Sequence, residues 1–215
     1  MDMLLNAVEA RVLGSLMEKE LATPEYYPLS LNALVNACNQ KTNRSPVMML
    51  EAKAVALAVQ TLKEKQAVLQ SDTSRVPKYW QSFGKKNNLI NRETALLSVL
   101  LLRGPQTAGE LRSRSENLAP FADIEGVFKS LENLTTAGLV SQLPRQPGQK
   151  EQRFAQLLTG EPELTEQAVA RQEPVMLEVA ADQSRIAELE EAVAELQAQM
   201  EQLQDQFLRF KEQFE

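Results

Sequence analysis

The side chains of this sequence that could do chemistry are cations set close to turns. Lys41 and Arg44 follow a short helix-like segment, Lys53 lies on the next one, and Arg75 and Lys78 flank a strand-like return. The pattern recurs later as Arg112 and Arg114, then Arg145, Lys150 and Arg153. Cations placed this way grip phosphate oxygens without reading bases, which gives salt-sensitive, weakly specific binding to duplex DNA. The competing reading of each is a solvated charge that keeps the surface soluble. Tyr79 and Trp80 sit among the first group, and their alternation in a strand makes at least one a core residue rather than a stacking platform.

Other chemistry is poorly provided for. The 215 residues include no histidine and one cysteine, Cys38. A Ser–His or Cys–His nucleophile pair is therefore impossible within one chain, and a soft-metal site lacks ligands. No GxGxxG or phosphate-loop string occurs. No catalytic residue, metal or cofactor is expected, and the chain reads as a non-enzyme. Cys38 reads as a small buried hydrophobe on a helix. No apolar run approaches the ~20 residues of a membrane span, and the start lacks a basic-then-apolar leader. The cytoplasm is the expected compartment.

The formal charge of −6 divides unevenly. Residues 1–84 hold 9 Lys/Arg and 8 Asp/Glu, residues 85–160 hold 10 and 7, and residues 161–215 hold 4 and 14. The first two segments are mildly basic, and the acidity belongs to the tail.

The elements that must position these cations come as a repeated unit. Residues 9–19 align without gaps onto 93–103, residues 30–34 onto 107–111, and Val55, Val59, Leu62 and Val68 onto Val127, Leu131, Leu134 and Val140. In the first copy, apolar spacing predicts a helix ending near Ala22, a second capped by Ser30, and a third from Glu51 to Lys65. Strands follow over 67–70 and 75–83. In the second copy, Asn91 and Thr107 are expected caps, Gly104 and Gly138 are stops, and strands over 139–144 and 150–158 flank a turn at 146–149. Three helices closed by a hairpin make the winged-helix form of the helix-turn-helix. The fold class is thus mainly α with small β-hairpin wings: two tandem winged-helix domains, 1–84 and 85–160, then an acidic linker, 161–181, and a coiled-coil helix, 182–215.

Longer strings carry a family resemblance. Glu9-Ala-Arg-Val-Leu-Gly14, Tyr26-Tyr-Pro-Leu-Ser-Leu-Asn-Ala-Leu34 and Asn39-Gln-Lys-Thr-Asn-Arg-Ser-Pro-Val47 resemble the bacterial YceH-like family. So do Leu101-Leu-Arg-Gly-Pro-Gln-Thr-Ala-Gly-Glu-Leu-Arg112 and Leu143-Pro-Arg-Gln-Pro-Gly148. The resemblance implies a tandem winged-helix fold and brings no catalytic residue and no known ligand.

The tail reads as a separate device. From Ile186 the apolar residues step three, four, three, four: Ile186, Val193, Met200, Phe207 and Phe214 at position a, and Leu189, Leu196, Leu203 and Phe210 at position d. That repeat argues a coiled coil and a homodimer through the C-terminal helix. The alternative is an amphipathic helix folded back on its own domains, which usually shows a wider apolar face.

The expected function is that of a DNA-binding protein, regulatory or architectural, acting as an oligomer; the alternative is a protein-interaction scaffold that uses its winged helices without binding DNA. A winged helix usually sends its third helix into the major groove, which calls for outward Arg, Lys, Asn or Gln. With Val55 inward, the outward stripe is Lys53, Leu57, Gln60 and Glu64, and the repeat transfers it to Glu125, Lys129, Glu132 and Thr136. An outward leucine and these glutamates suit base reading badly and favour a protein scaffold. Met48 and Met49 are expected to cover the core, and Tyr26-Tyr27-Pro28 to staple the first loop.

Overall fold

The computed structural model describes residues 3–71, 76–145 and 151–160. It is mainly helical with two small antiparallel sheets, and the helix, strand, helix, helix, hairpin order occurs twice. The first copy contains α1 (Ala7–Ala22), β1 (Leu29–Ser30), α2 (Leu31–Cys38), α3 (Ala52–Glu64), β2 (Val68–Ser71) and β3 (Lys78–Gln81). One helical turn, α4 (Phe83–Lys86), leads into the second copy. There the order is α5 (Asn91–Arg103), β4 (Gln106–Thr107), α6 (Ala108–Arg114), α7 (Ile124–Thr136), β5 (Val140–Gln142) and β6 (Arg153–Gln156).

Local chemistry sets most of these ends. Asn6 accepts from the backbone N–H of Val8 and Glu9 at 2.9 Å each, while the Glu9 carboxylate takes the Asn6 N–H, completing a capping box at α1. Its repeat partner differs: the cap position of α5 is Ile90, not the expected Asn91, and an isoleucine offers no acceptor. Glu93 alone does the work there, taking the Ile90 N–H at 3.1 Å. Ser30 and Thr107 cap α2 and α6 as expected, accepting from Ala33 and Glu110. Gly104 and Gly138 stop α5 and α7 with φ of 76° and 70°, values that favour glycine.

Two strands escape the sequence pattern. β1 and β4 hold two residues each, too few for alternation to show, yet each pairs antiparallel with the returning strand of its hairpin. The sheet orders are therefore β1-β3-β2 and β4-β6-β5. Ser30 and Thr107 serve twice, pairing with Lys78 and Arg153 and capping the next helix. The first return strand is also shorter than expected. It stops at Gln81, because Phe83 turns inward as the start of α4 and is buried.

The two copies share a core. α1 is buried from Glu9 through Glu18 and α5 from Glu93 through Leu102, around their whole circumference. A helix buried on every side needs several neighbours: α1 packs against α2, α3 and α5, and α5 against α1, α6 and α7. Leu13, Leu16 and Met17 of α1 and Leu96, Leu97 and Leu100 of α5 belong to one hydrophobic cluster. Each such leucine contributes about 1.5–3 kcal/mol on leaving water. Ser45 N–H donates to the Leu102 carbonyl at 2.8 Å and Leu5 N–H to the Leu158 carbonyl at 2.6 Å, so two backbone bonds run from the first copy to the second. Residues Met1–Glu163 form one compact unit.

Gln81 ties the end of α1 to the hairpin. Its Nε2 donates to Glu20 at 2.5 Å, its Oε1 accepts from Gly84 at 2.8 Å, and its backbone N–H donates to the Tyr27 hydroxyl at 2.7 Å. Tyr27 is thus the staple of the first loop, and Tyr26 is exposed. Burial pushes the Glu20 carboxyl above its ordinary range, more than the Gln81 bond lowers it. A raised folded-state pKa gives stability that is complete below the unfolded pKa and lost as pH rises through the folded one. Glu20→Gln is therefore expected to raise the melting temperature at pH 7.5 and to leave it unchanged near pH 4. Melting curves at the two pH values check this, and a loss at pH 7.5 contradicts it.

Candidate interaction site

A groove of about 980 Å³ opens between α6, α7 and the β5–β6 hairpin. Ile124 and Phe128 form its floor from the first two turns of α7, and both are exposed. Phe128, at 49% exposure, stands edge-on to Phe154 of β6, with ring centroids 6.3 Å apart. Such edge contacts orient an aromatic without hiding it. The rim carries Arg112 and Arg145 against Glu116 and Glu151, two charges of each sign. A balanced rim offers no net attraction to a polyanion.

Ile124 and Phe128 were not singled out by the sequence reading, although a signal was present. In register with Val127 and Leu131 they widen the apolar stripe of α7 beyond the buried face. The first copy has Ala52 and Ala56 at the equivalent positions. The expected outward stripes do face solvent: Lys53, Leu57, Gln60 and Glu64 on α3, and Glu125, Lys129, Glu132 and Thr136 on α7, are all exposed. Leu57 is 70% exposed.

The expected phosphate-gripping cations do not share one role. Lys41 and Lys53 are exposed, and Lys78 is half-buried in β3. Arg112 donates to the Ala122 carbonyl at 2.9 Å, and Arg114 donates to Gln106. Arg153 donates to the Pro105 carbonyl at 2.8 Å and pairs with Glu110 at 3.2 Å, which fastens the hairpin to α6. Arg145 lies on the groove rim. Arg75, Lys150 and the turn at 146–149 lie outside the described residues, as do all nine heptad positions: Ile186, Leu189, Val193, Leu196, Met200, Leu203, Phe207, Phe210 and Phe214.

Arg44 is a correction. It faces inward, with its side chain 0% exposed. Its guanidinium meets Glu18 through two bonds of 3.0 and 2.7 Å and donates twice to the Ala37 carbonyl. Arg11, beside it, donates to the carbonyls of Cys38 and Pro46 at 3.1 and 2.6 Å. The two arginines supply donors that the last carbonyls of α2 need. Arg44 is therefore a buried loop anchor with no access to phosphate.

The loop beyond it also departs from expectation. Asn39 clamps Leu50 by its side chain, donating to the carbonyl at 2.8 Å and accepting from the N–H at 2.7 Å. That clamp seats Leu50 against the core and leaves Met49 95% exposed instead of covering it. Cys38 is buried as expected, and burial pushes its thiol up, away from nucleophilic use. Among the described residues, no group of three or more Cys, Asp or Glu side chains is placed to hold a metal ion, and no helix is long and apolar enough to cross a membrane.

Comparison with known proteins supplies the family. Residues 5–149 match the family described as protein of unknown function, DUF480. A UPF0502 protein of Solibacter usitatus is 54% identical over 193 residues, covering 89% of this chain and 92% of the relative. UPF0502 proteins of Geobacter sulfurreducens and Geotalea daltonii are 54% and 53% identical over 194 residues each, covering 88% and 89% of this chain and 89% of each relative. Identity of this order over nearly whole chains leaves one assignment: this chain belongs to the DUF480/UPF0502 family of bacterial proteins.

Proposed function

We propose that the chain is a tandem winged-helix protein, not an enzyme, that docks a helical segment of a partner protein in the groove between α6, α7 and the β5–β6 hairpin. The observation that carries this reading is the apolar floor of Ile124 and Phe128 inside a rim whose charges cancel. Helix-in-groove recognition uses bulky apolar anchors three and four residues apart, and an exposed aromatic already oriented by a neighbour is a good wall for them. Arg112 and Arg145 suit carboxylates flanking those anchors, and Glu116 and Glu151 suit lysines or arginines. The repeated order of three helices and a hairpin supports the winged-helix assignment. The heptads from Ile186 to Phe214 support self-association through the C-terminal segment.

Duplex DNA is the second reading, favoured by the exposed Lys41 and Lys53 of the first copy. One pair of measurements separates the two. A photo-crosslinking residue at Phe128 is expected to give a discrete protein adduct in cells, lost on Ile124→Asp. Affinity for duplex DNA is expected to be weak at about 50 mM salt and to change little by about 200 mM, because few phosphates are neutralised. No adduct, together with DNA affinity falling steeply over that salt range, reverses the assignment.

A further inference from the structure

The loop before α3 is held at both ends and presents apolar side chains between them. At one end the Pro46 carbonyl accepts from Arg11 at 2.6 Å, and the neighbouring Ser45 N–H donates to the Leu102 carbonyl at 2.8 Å. At the other end Leu50 is fixed by the Asn39 clamp. Between these anchors Met48 is half-buried, whereas Val47 is 51% and Met49 95% exposed. A side chain as open as Met49 touches almost nothing of its own chain. In a slack loop such exposure is ordinary. Here the buried side chains of Arg11 and Arg44 hold the loop, so residues 47–49 form a stiff apolar knob with little freedom left to lose on contact.

The repeat gives each chain one knob and one socket. The second copy has nine residues between its second and third helices instead of thirteen, and Ala95 in place of Arg11, so it has no such knob. The first copy has Ala52 and Ala56 where the groove has Ile124 and Phe128, so it has no such floor. Charge matches as well as shape. The α6 side of the groove carries Arg112 and Glu116, and the hairpin side Arg145 and Glu151, one charge of each sign on each side. Met49 is followed by Glu51 and Lys53, both exposed and again one of each sign. Seating the knob therefore sets no surplus charge against the rim, and Glu51 suits an arginine there as Lys53 suits a glutamate. The Met49 thioether is also a good neighbour for the Phe128 ring, since sulfur packs favourably against aromatic edges.

We propose that the 47–49 knob of one chain seats in the α6–α7 groove of a second copy of this chain, head to tail. The inference rests on the groove being a docking site and adds its occupant when no partner helix is bound, so that a partner helix enters by displacing the knob. Knob and groove are different surfaces of one unit. The contact is therefore heterologous and repeats from chain to chain, closing into a ring or running on as a filament.

The test uses the purified full chain with a photo-crosslinking residue at Phe128. Illumination is expected to give a chain-to-chain adduct attached at residues 47–49 of the second chain. Met49→Glu, which sets a carboxylate against the apolar floor, is expected to lower the adduct yield by about tenfold or more. Tyr26→Glu, at another exposed apolar position outside the groove lining, is expected to leave it unchanged. Complementation is the sharper arm. A chain with the crosslinker at Phe128 and Met49→Glu keeps a groove, a chain with Phe128→Glu keeps a knob, and mixing the two is expected to restore the adduct. The reciprocal crosslinker at Met49, whose side chain the fold leaves in solvent, is expected to attach beside Ile124 and Phe128, so a folding defect at Phe128 leaves this arm to decide. No chain-to-chain adduct from either position, attachment elsewhere on the chain, or an equal fall in Tyr26→Glu overturns the inference. A different protein captured at Phe128 in cells, with no self-adduct in the purified chain, also overturns it while leaving the groove a docking site.

Discussion

Arg44→Ala is expected to cost about 3–5 kcal/mol of folding stability, the usual result of removing one member of a buried ion pair. The substitution takes away both bonds to Glu18 and both bonds to the Ala37 carbonyl. Glu18 is left 10% exposed, with Lys19 as its remaining ion-pair partner at 3.4 Å. A carboxylate enclosed in this way keeps most of its desolvation penalty and loses most of its compensation. The attraction itself is not the source of the loss, and a second variant makes that visible. Glu18→Gln combined with Arg44→Met removes both charges and keeps most of the volume, so it is expected to recover at least half of the stability. Urea unfolding midpoints of the three proteins check the pair. A loss below about 1 kcal/mol for Arg44→Ala, the range of an exposed pair, would mean that the guanidinium reaches water after all.

This network explains where the sequence was legible and where it was not. The caps of α2 and α6, the glycine stops of α5 and α7 and the inward faces of α3 and α7 depend on neighbours within four residues, so spacing alone reveals them. Arg44 depends on Glu18, 26 residues earlier, and a basic residue in a polar turn looks the same whether it faces solvent or a buried carboxylate. The clue lay in comparing the copies. Where the first has Arg11 and Glu18 the second has Ala95 and Leu102, and its loop between the second and third helices shortens from thirteen residues to nine. Charges that vanish together with a loop belong to that loop. β1 and β4 left no such trace, because their pairing is decided by the hairpin strand that arrives 40 to 50 residues later. The outward Leu57 and the acidic face of α7 suggest a protein partner, but neither lines the groove between α6, α7 and the β5–β6 hairpin. Its floor was missed because Ile124 and Phe128 lie beside the buried stripe and read as part of it.

Gly14→Leu is expected to destabilise the whole unit by about 3 kcal/mol, at the upper end of ordinary overpacking. Glycine inside a helix costs about 1 kcal/mol relative to alanine, so a buried one in the middle of α1 needs a packing reason. The reason is α5. A β-carbon on Gly14 would stand 3.0 Å from Leu101 Cβ and 3.0 Å from Leu102 Cγ. Leu101 Cβ is fixed to the backbone and cannot swing away, so a larger side chain must push α1 and α5 apart. Gly14→Ala sets one tight methyl group against the gain in helix propensity and is expected to fall within about 1 kcal/mol of the parent. The contrast between the two variants separates steric separation from helix propensity. Unfolding followed by circular dichroism and by Trp80 fluorescence should shift together in Gly14→Leu, since Trp80 reports the first copy while the displaced leucines belong to the second. Two separated transitions, or no shift at all, would mean that the copies fold independently. A shared loss would mean that α1 and α5 hold the two copies in one core that unfolds as a unit.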